Sequence, residues 1–273
     1  MIDKSKIFII FSYIFVIYIS LLALIFIFQR SLMYLPIKEK ISKSFYENTQ
    51  LKIIDVNTSD GLILKSLYKK SEANINKTIL VLHGNAGHIG HRVKKFKPFI
   101  EKGYGLLLLE YRGYGENLGK PTEEGLIKDG YAAIKYLFNQ NISPKNIILY
   151  GESLGTGIAT KLSTDIAFNA TILEAPFTSI ADVAQSHYWI FPSKWLVLDR
   201  FDSIGIIKKI KSPLLVIHGN KDKIIDIKFG KKIFNYAPKP KERIFILKAG
   251  HNNLFEFNVV EKILRFLSKY RDK

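Results

Sequence analysis

Cysteine is absent from the 273 residues. That excludes disulfides, a thiolate nucleophile, iron–sulfur clusters and cysteine-based zinc sites. The absence fits a reducing compartment without requiring one. Arginine is scarce, at 7 residues beside 34 lysines, and 24 Asp+Glu against 41 Lys+Arg leave a formal net charge of +17. A chain this basic invites a polyanion partner, because clustered cations release counterions from phosphate. Arginine, however, is the residue suited to bidentate phosphate and guanine recognition. No run of five or six lysines occurs either. The charge therefore reads as a solvated lysine-rich surface, with no nucleic-acid partner and with an anionic membrane surface as a compatible one. Low-complexity tracts and internal repeats are also missing.

What is present is apolar. Hydrophobic residues make up 47% of the chain, far above a disordered composition and enough for one large self-sufficient core. The stretch Ile7–Phe28 holds no charge, glycine or proline, and its only polar breaks are Ser12, Ser20, Tyr13 and Tyr18. As a helix it extends about 33 Å, matching a hydrocarbon core of about 30 Å. A cleaved signal peptide has a shorter apolar core, about 7–15 residues, ending at a small-residue site; no such site follows here. A buried core helix would show a polar face. The expectation is an uncleaved single-pass anchor over residues 1–30, with residues 7–28 in the membrane and 31–50 as a linker. Lys4 and Lys6 against Asp3 flank one side; Arg30, Lys38, Lys40 and Lys43 against Glu39 flank the other. Both flanks look cytoplasmic under the positive-inside rule, and the reading leans to a cytoplasm-facing C-terminal domain.

From Leu51 the pattern changes. Leu51–Val56 and Leu62–Tyr68 alternate around Asp60-Gly61 as a hairpin. Short apolar runs follow at Thr78–Leu82, Gly105–Glu110, Asn146–Tyr150, Ala170–Glu174, Pro213–His218 and Arg243–Leu247, as expected for strands buried on both faces. Helical stretches lie between them: Thr122–Asn139, opened by a Thr cap and two acids, then Ile227–Tyr236 and Asn253–Tyr270. The pattern predicts an α/β fold over residues 51–273, with about eight mostly parallel strands and helices on both faces. The interval 176–212 is too long for an ordinary crossover and too short for a full lid domain. It holds Trp189 and Trp195.

The most specific motif is Gly151-Glu152-Ser153-Leu154-Gly155, directly after an apolar strand. A serine on such a strand-to-helix turn is pushed above the sheet, with glycines relieving the crowding. The following helix aims its positive end at any anion formed there. A serine hydroxyl needs a base. His251 follows the strand Arg243–Leu247, and Asp222 follows Pro213–His218, in the chain order nucleophile, acid, histidine. Asp226 on the same loop is the reserve acid. The loop His83-Gly84-Asn85-Ala86-Gly87 follows another strand, so the backbone N–H groups of Asn85 and Leu154 are candidate oxyanion donors. A metal site at His83, His88 and His91 is disfavoured by irregular spacing without acidic neighbours.

With these residues in place the sequence resembles the α/β-hydrolase superfamily, and most of all its membrane-anchored branch of single-pass eukaryotic hydrolases and protein depalmitoylases. The likeness runs from about Thr78 to the C-terminus. Beyond the motifs above it includes Glu110-Tyr111-Arg112-Gly113-Tyr114-Gly115, Gly119-Lys120-Pro121-Thr122-Glu123, Pro176-Phe177-Thr178-Ser179-Ile180 and Gly250-His251-Asn252. Asn117 and Thr156 depart from the branch's usual Ser and Gly. The resemblance implies a serine hydrolase of acyl esters or thioesters, with Ser153, Asp222 and His251 as triad, Asn85 and Leu154 as oxyanion donors, and no cofactor or metal. Arg112, Tyr114 and the interval 176–212 with Trp189 and Trp195 are expected to shape the pocket mouth, although core packing explains the tryptophans equally well. An acyltransferase, a peptidase or a non-catalytic membrane module on the same fold are the alternatives.

Overall fold

Strands that are apolar at both odd and even positions bury both faces only inside a sheet covered on each side. The computed structural model describes residues 4–270; Asp3 and the amino group, invoked above as a membrane flank, lie outside them. It forms one sheet from β1 (Lys52–Asn57), β2 (Ile63–Lys69), β3 (Thr78–Leu82), β4 (Gly105–Leu109), β5 (Ile147–Glu152), β6 (Ala170–Glu174), β7 (Leu214–Gly219) and β8 (Lys241–Ile246). Their order is β1-β2-β4-β3-β5-β6-β7-β8. The β1–β2 and β2–β4 pairs are antiparallel and every later pair is parallel. The eight strands and leading hairpin agree with the expected architecture.

Nine α-helices are present among the described residues: α1 (Lys4–Met33), α2 (Val93–Glu101), α3 (Glu123–Asn139), α4 (Leu154–Asp165), α5 (Ile180–His187), α6 (Ser193–Leu196), α7 (Ser203–Ile206), α8 (Ile227–Tyr236) and α9 (Val259–Lys269). Alternate residues of one strand serve opposite layers. Leu80 and Leu82 pack with apolar residues of α3, α4 and α8, whereas Ile79 and Val81 pack with those of α2 and α9. Thr122 caps α3 as its sequence suggests, its hydroxyl accepting from Gly125 N at 3.0 Å; such a cap contributes about 1 kcal/mol.

Two expectations change. The stretch Asn253–Tyr270 is not one helix: a 3-10 turn, Leu254–Phe257, ends at Asn258 with φ 54°, and α9 starts afresh at Val259. A residue in the left-handed region cannot continue a right-handed helix, yet the apolar spacing carries on across the break and hides it. The apolar N-terminal helix is longer than its charge-free core, running from Lys4 to Met33 with no buried residue. An 18-residue window of it has a mean hydropathy of 2.7, apolar enough to cross a membrane. The chain after it lies against the domain, with Tyr34 in one core layer and Ile41 and Leu51 in the other.

Candidate active site

The turn from β5 into α4 is made by Ser153 at φ 50° and ψ −114°. For a residue bearing a Cβ this conformation costs about 1–3 kcal/mol. It is held by two backbone bonds, Ser153 N to Glu174 O at 2.8 Å and Thr156 N to Ser153 O at 2.9 Å. The motif glycines are a steric requirement. A Cβ on Gly155 would lie 2.0 Å from Leu82 O, and one on Gly151 would lie 2.7 Å from Gly155 O. Helix α4 therefore starts hard against the end of β3, with Ser153 raised at the carboxyl edge of the sheet.

Asp222 stands on the loop after β7 and His251 on the loop after β8. His251 Nδ1 lies 2.7 Å from Asp222 Oδ2, and His251 Nε2 lies 3.1 Å from Ser153 Oγ. An ionised carboxylate only accepts, so Nδ1–H is the donor and Nε2 is left to accept from the serine. Asp222 Oδ1 accepts from Ile224 N at 2.9 Å and Ile225 N at 2.8 Å. Burial alone would raise the Asp222 pKa. Hydrogen bonds from His218 and His251, the His251 charge and the Ile225 N–H outweigh it and hold the carboxyl well below the usual carboxylate range. Asp226 does something else: it caps α8, accepting from Lys228 N at 2.7 Å.

The loop after β3 brings Asn85 beside Ser153 and Leu154 on the wall of one cavity. Neither the Asn85 nor the Leu154 backbone N–H has a partner among the described residues. The Asn85 side chain is occupied: its Oδ1 accepts from Leu35 N at 3.1 Å and Tyr114 OH at 2.9 Å, and its Nδ2 donates to Met33 O. His83 is fully buried and stacks on Tyr111 with ring centroids 4.2 Å apart, a brace for this loop.

Two cavities share Ser153. One, of about 490 Å³, is walled by α1, α5, α6 and Ile224–Ile225 and is dominated by side chains such as Phe26, Leu32, Val183 and Leu196. The other, of about 580 Å³, is the more polar of the two, with Arg92, Lys95, Glu152, Glu174, His251 and Asn253 on its walls.

Of the features expected at the pocket mouth, the interval 176–212 does wall the apolar cavity, through residues such as Phe177, Val183 and Leu196, whereas Arg112, Tyr114, Trp189 and Trp195 line neither cavity. Arg112 is buried in salt bridges to Asp60 and Asp129, both at 2.7 Å, and braces the hairpin against α3. Tyr114 sits behind the loop, bonded to Asn85. Trp189 and Trp195 are 77% and 88% exposed on the outside of the 176–212 interval, so core packing does not explain them either. Several site residues carried no recognisable signal. Lys95 reaches Glu152 at 2.9 Å and Glu174 at 2.6 Å, and Arg92 reaches Glu152 at 3.2 Å, just below the elbow. Burial would raise the Glu152 pKa, but Lys95 and Arg92 pull it well below its ordinary value. His218, buried on β7, lies 3.4 Å from Asp222 and donates from Nε2 to Ile225 O, 2.8 Å away. Only its place at a strand end hinted at it.

A serine raised on a strained turn at the carboxyl edge of an eight-stranded, mostly parallel sheet defines the α/β serine hydrolases. Residues 73–200 match the family model described as serine aminopeptidase, S33. The chain is 33% identical over 246 residues to an uncharacterized protein of Mycobacterium tuberculosis, covering 88% of each. It is 32% identical over 228 residues to human alpha/beta hydrolase domain-containing protein 17B, covering 82% of this chain and 77% of that one. It is 36% identical over 194 residues to the lysophosphatidylserine lipase ABHD12 of Danio rerio, covering 64% of this chain and 50% of that protein. Among solved structures, the Pyrococcus furiosus esterase Pf2001 shares the fold, with TM-score 0.71, 17% identity, and coverage of 87% and 99% of the two chains. The chain belongs to the α/β-hydrolase family and is a serine hydrolase of the esterase and lipase kind.

Proposed function

We propose that this chain is a membrane-anchored hydrolase that cleaves carboxylic ester or thioester bonds through Ser153, His251 and Asp222. The observation that carries the reading is the unbroken hydrogen-bonded line from Asp222 Oδ2 through His251 to Ser153 Oγ. His251, oriented by Asp222, takes the serine proton as Oγ attacks the carbonyl carbon. The bond to the leaving oxygen or sulfur then breaks and His251 returns the proton to it. Water resolves the acyl-enzyme by the same route, releasing a carboxylic acid and restoring Ser153. The Asn85 and Leu154 N–H groups are assigned to the developing oxyanion, each worth about 3 kcal/mol of barrier.

An apolar cavity on one side of Ser153 and a more polar one on the other suit an amphiphilic substrate, its acyl chain in the first and its leaving group in the second. Relatives named as a lipase and an esterase agree with that chemistry. In this reading residues 1–30 are a single-pass anchor, 31–50 a linker and 51–273 the hydrolase domain, with 176–212 as a short cap. The cations Arg30, Lys38, Lys40 and Lys43 favour a cytoplasmic domain.

A fluorophosphonate probe on the full-length protein tests the nucleophile. Wild type is expected to be labelled, and Ser153→Ala and His251→Ala are not. Unlabelled wild type, or undiminished labelling of either variant, would overturn the assignment. Esters, thioesters and aminoacyl amides compared as substrates of the unlabelled wild-type enzyme then separate the reactions. The family description favours a peptidase as the second reading, and preferred turnover of the amides would support it instead.

A further inference from the structure

The apolar helix α1 is docked on the cap over much of its length. Tyr18 OH donates to Ile190 O at 2.9 Å, and its ring stacks on Phe191 with centroids 6.2 Å apart. Gln29 donates to Leu196 O at 3.2 Å and accepts from Leu198 N at 2.8 Å. Arg30 makes a bidentate pair with the buried Asp199, at 2.8 and 3.1 Å, which Tyr34 OH joins at 3.1 Å. From Tyr18 to Arg30 these contacts extend about 18 Å along the helix. The stretch Ile7–Ile17 below them is about 16 Å long, only half of a hydrocarbon core of about 30 Å. An α1 that crosses a bilayer with Ile7–Phe28 in hydrocarbon therefore carries the cap into one leaflet.

The cap is built for that position. Its exposed side chains include Tyr188, Trp189, Ile190, Trp195 and Leu198. Non-helical backbone in hydrocarbon must find partners inside the protein, and Tyr18 and Gln29 supply them for Ile190, Leu196 and Leu198. Lys194 on α6 reaches Asp182 of α5 at 3.8 Å, on a stem long enough to snorkel. The same half of α1 contributes Ile25, Phe26, Leu32 and Met33 to the apolar cavity that ends at Ser153.

We propose that α1 is part of the active site as well as an anchor: with α5 and α6 it forms an acyl-chain channel immersed in one leaflet, through which a bilayer-borne long-chain acyl ester or thioester reaches Ser153 from hydrocarbon. The proposal rests on the hydrolase reading above and adds the route and the wall. The test uses full-length protein in phosphatidylcholine vesicles and a hexadecyl fluorophosphonate carrying a terminal diazirine. After Ser153 is modified, irradiation is expected to crosslink the chain terminus to residues 25–33 of α1 or to 180–197. Crosslinks confined to residues 244–260, with Ser153 modified, would overturn the channel while leaving the hydrolase intact. Absence of Ser153 modification would overturn both.

A second measurement does not depend on the probe. Ile25→Trp and Leu32→Trp narrow the channel from α1. Each is expected to lower the ratio of kcat/KM for palmitoyl over butyryl ester at least tenfold, whereas Phe11→Ala, on the undocked half, keeps the wild-type ratio. An unmoved ratio in both tryptophan variants would count against α1 as a wall.

Discussion

Asp222 and Asp226 sit four residues apart on one loop and could each have served as the acid. Geometry separates them: Asp222 is bonded to His251, and Asp226 caps the helix behind it. The difference is testable because an asparagine at 222 presents an N–H₂ group to His251 and drives the imidazole into the wrong tautomer. Asp222→Asn is expected to lower kcat/KM for a short ester by roughly 10⁴-fold, and Asp226→Asn to leave it within about twofold. Equal losses in a steady-state assay would remove Asp222 from its role. The juxtaposition of Ser153, Asp222 and His251 was legible in the sequence because each follows a strongly apolar run in a fixed chain order. Arg112 and Tyr114 were misread because motif position says nothing about burial. Arg112 is consumed by Asp60 and Asp129, which the chain supplies from a hairpin turn and a helix on either side of it.

At the scale of elements, the elbow depends on what lies under it. Helix α2 and the residue before it place Lys95 and Arg92 against Glu152, with Glu174 of β6 completing the cluster. Glu152 has a lowered pKa in the folded protein, so its ionisation adds stability that is complete above its ordinary value near 4.5. That contribution is lost as pH falls through the lowered value. Glu152→Gln leaves Lys95 one carboxylate short and is expected to cost about 3 kcal/mol near pH 7. The gap should narrow as pH drops below about 4.5, where the unfolded chain binds a proton that folded Glu152 does not, and close only as pH nears the lowered value of about 2. Thermal melts of both proteins at pH 7, 4 and 3 measure it, and a gap independent of pH would contradict the account. Strands were read almost to the residue, since a two-face-buried strand has an unmistakable apolar run. The break at Asn258 was not, because side-chain spacing is blind to one residue's backbone sign. The docking of α1 was hidden for another reason. In an all-apolar helix the side facing protein and the side facing lipid use the same residues.

At the scale of the molecule, the composition read at the outset divides between two solvents. The core of the sheet and the whole of α1 draw on the same aliphatic residues, but only the first is buried by the fold. In the proposed anchored arrangement the lysines belong to the surface outside the bilayer, and the cap stands between the two. Its tryptophans, 77% and 88% exposed, would be a liability on a domain standing free in water.

Those two are also the only indoles in the chain. Indole emission, excited selectively over the 14 tyrosines, therefore arises at one place, the outer surface of the cap. In vesicles the emission should be blue-shifted, quenched by bromines carried on lipid acyl chains and insensitive to aqueous iodide. Trp189→Phe and Trp195→Phe would resolve the two depths separately, and strong iodide quenching with no effect of brominated lipid would put the cap in water. The molecule thus carries its own optical depth gauge, on the outer face of the segment proposed to form the substrate's entrance.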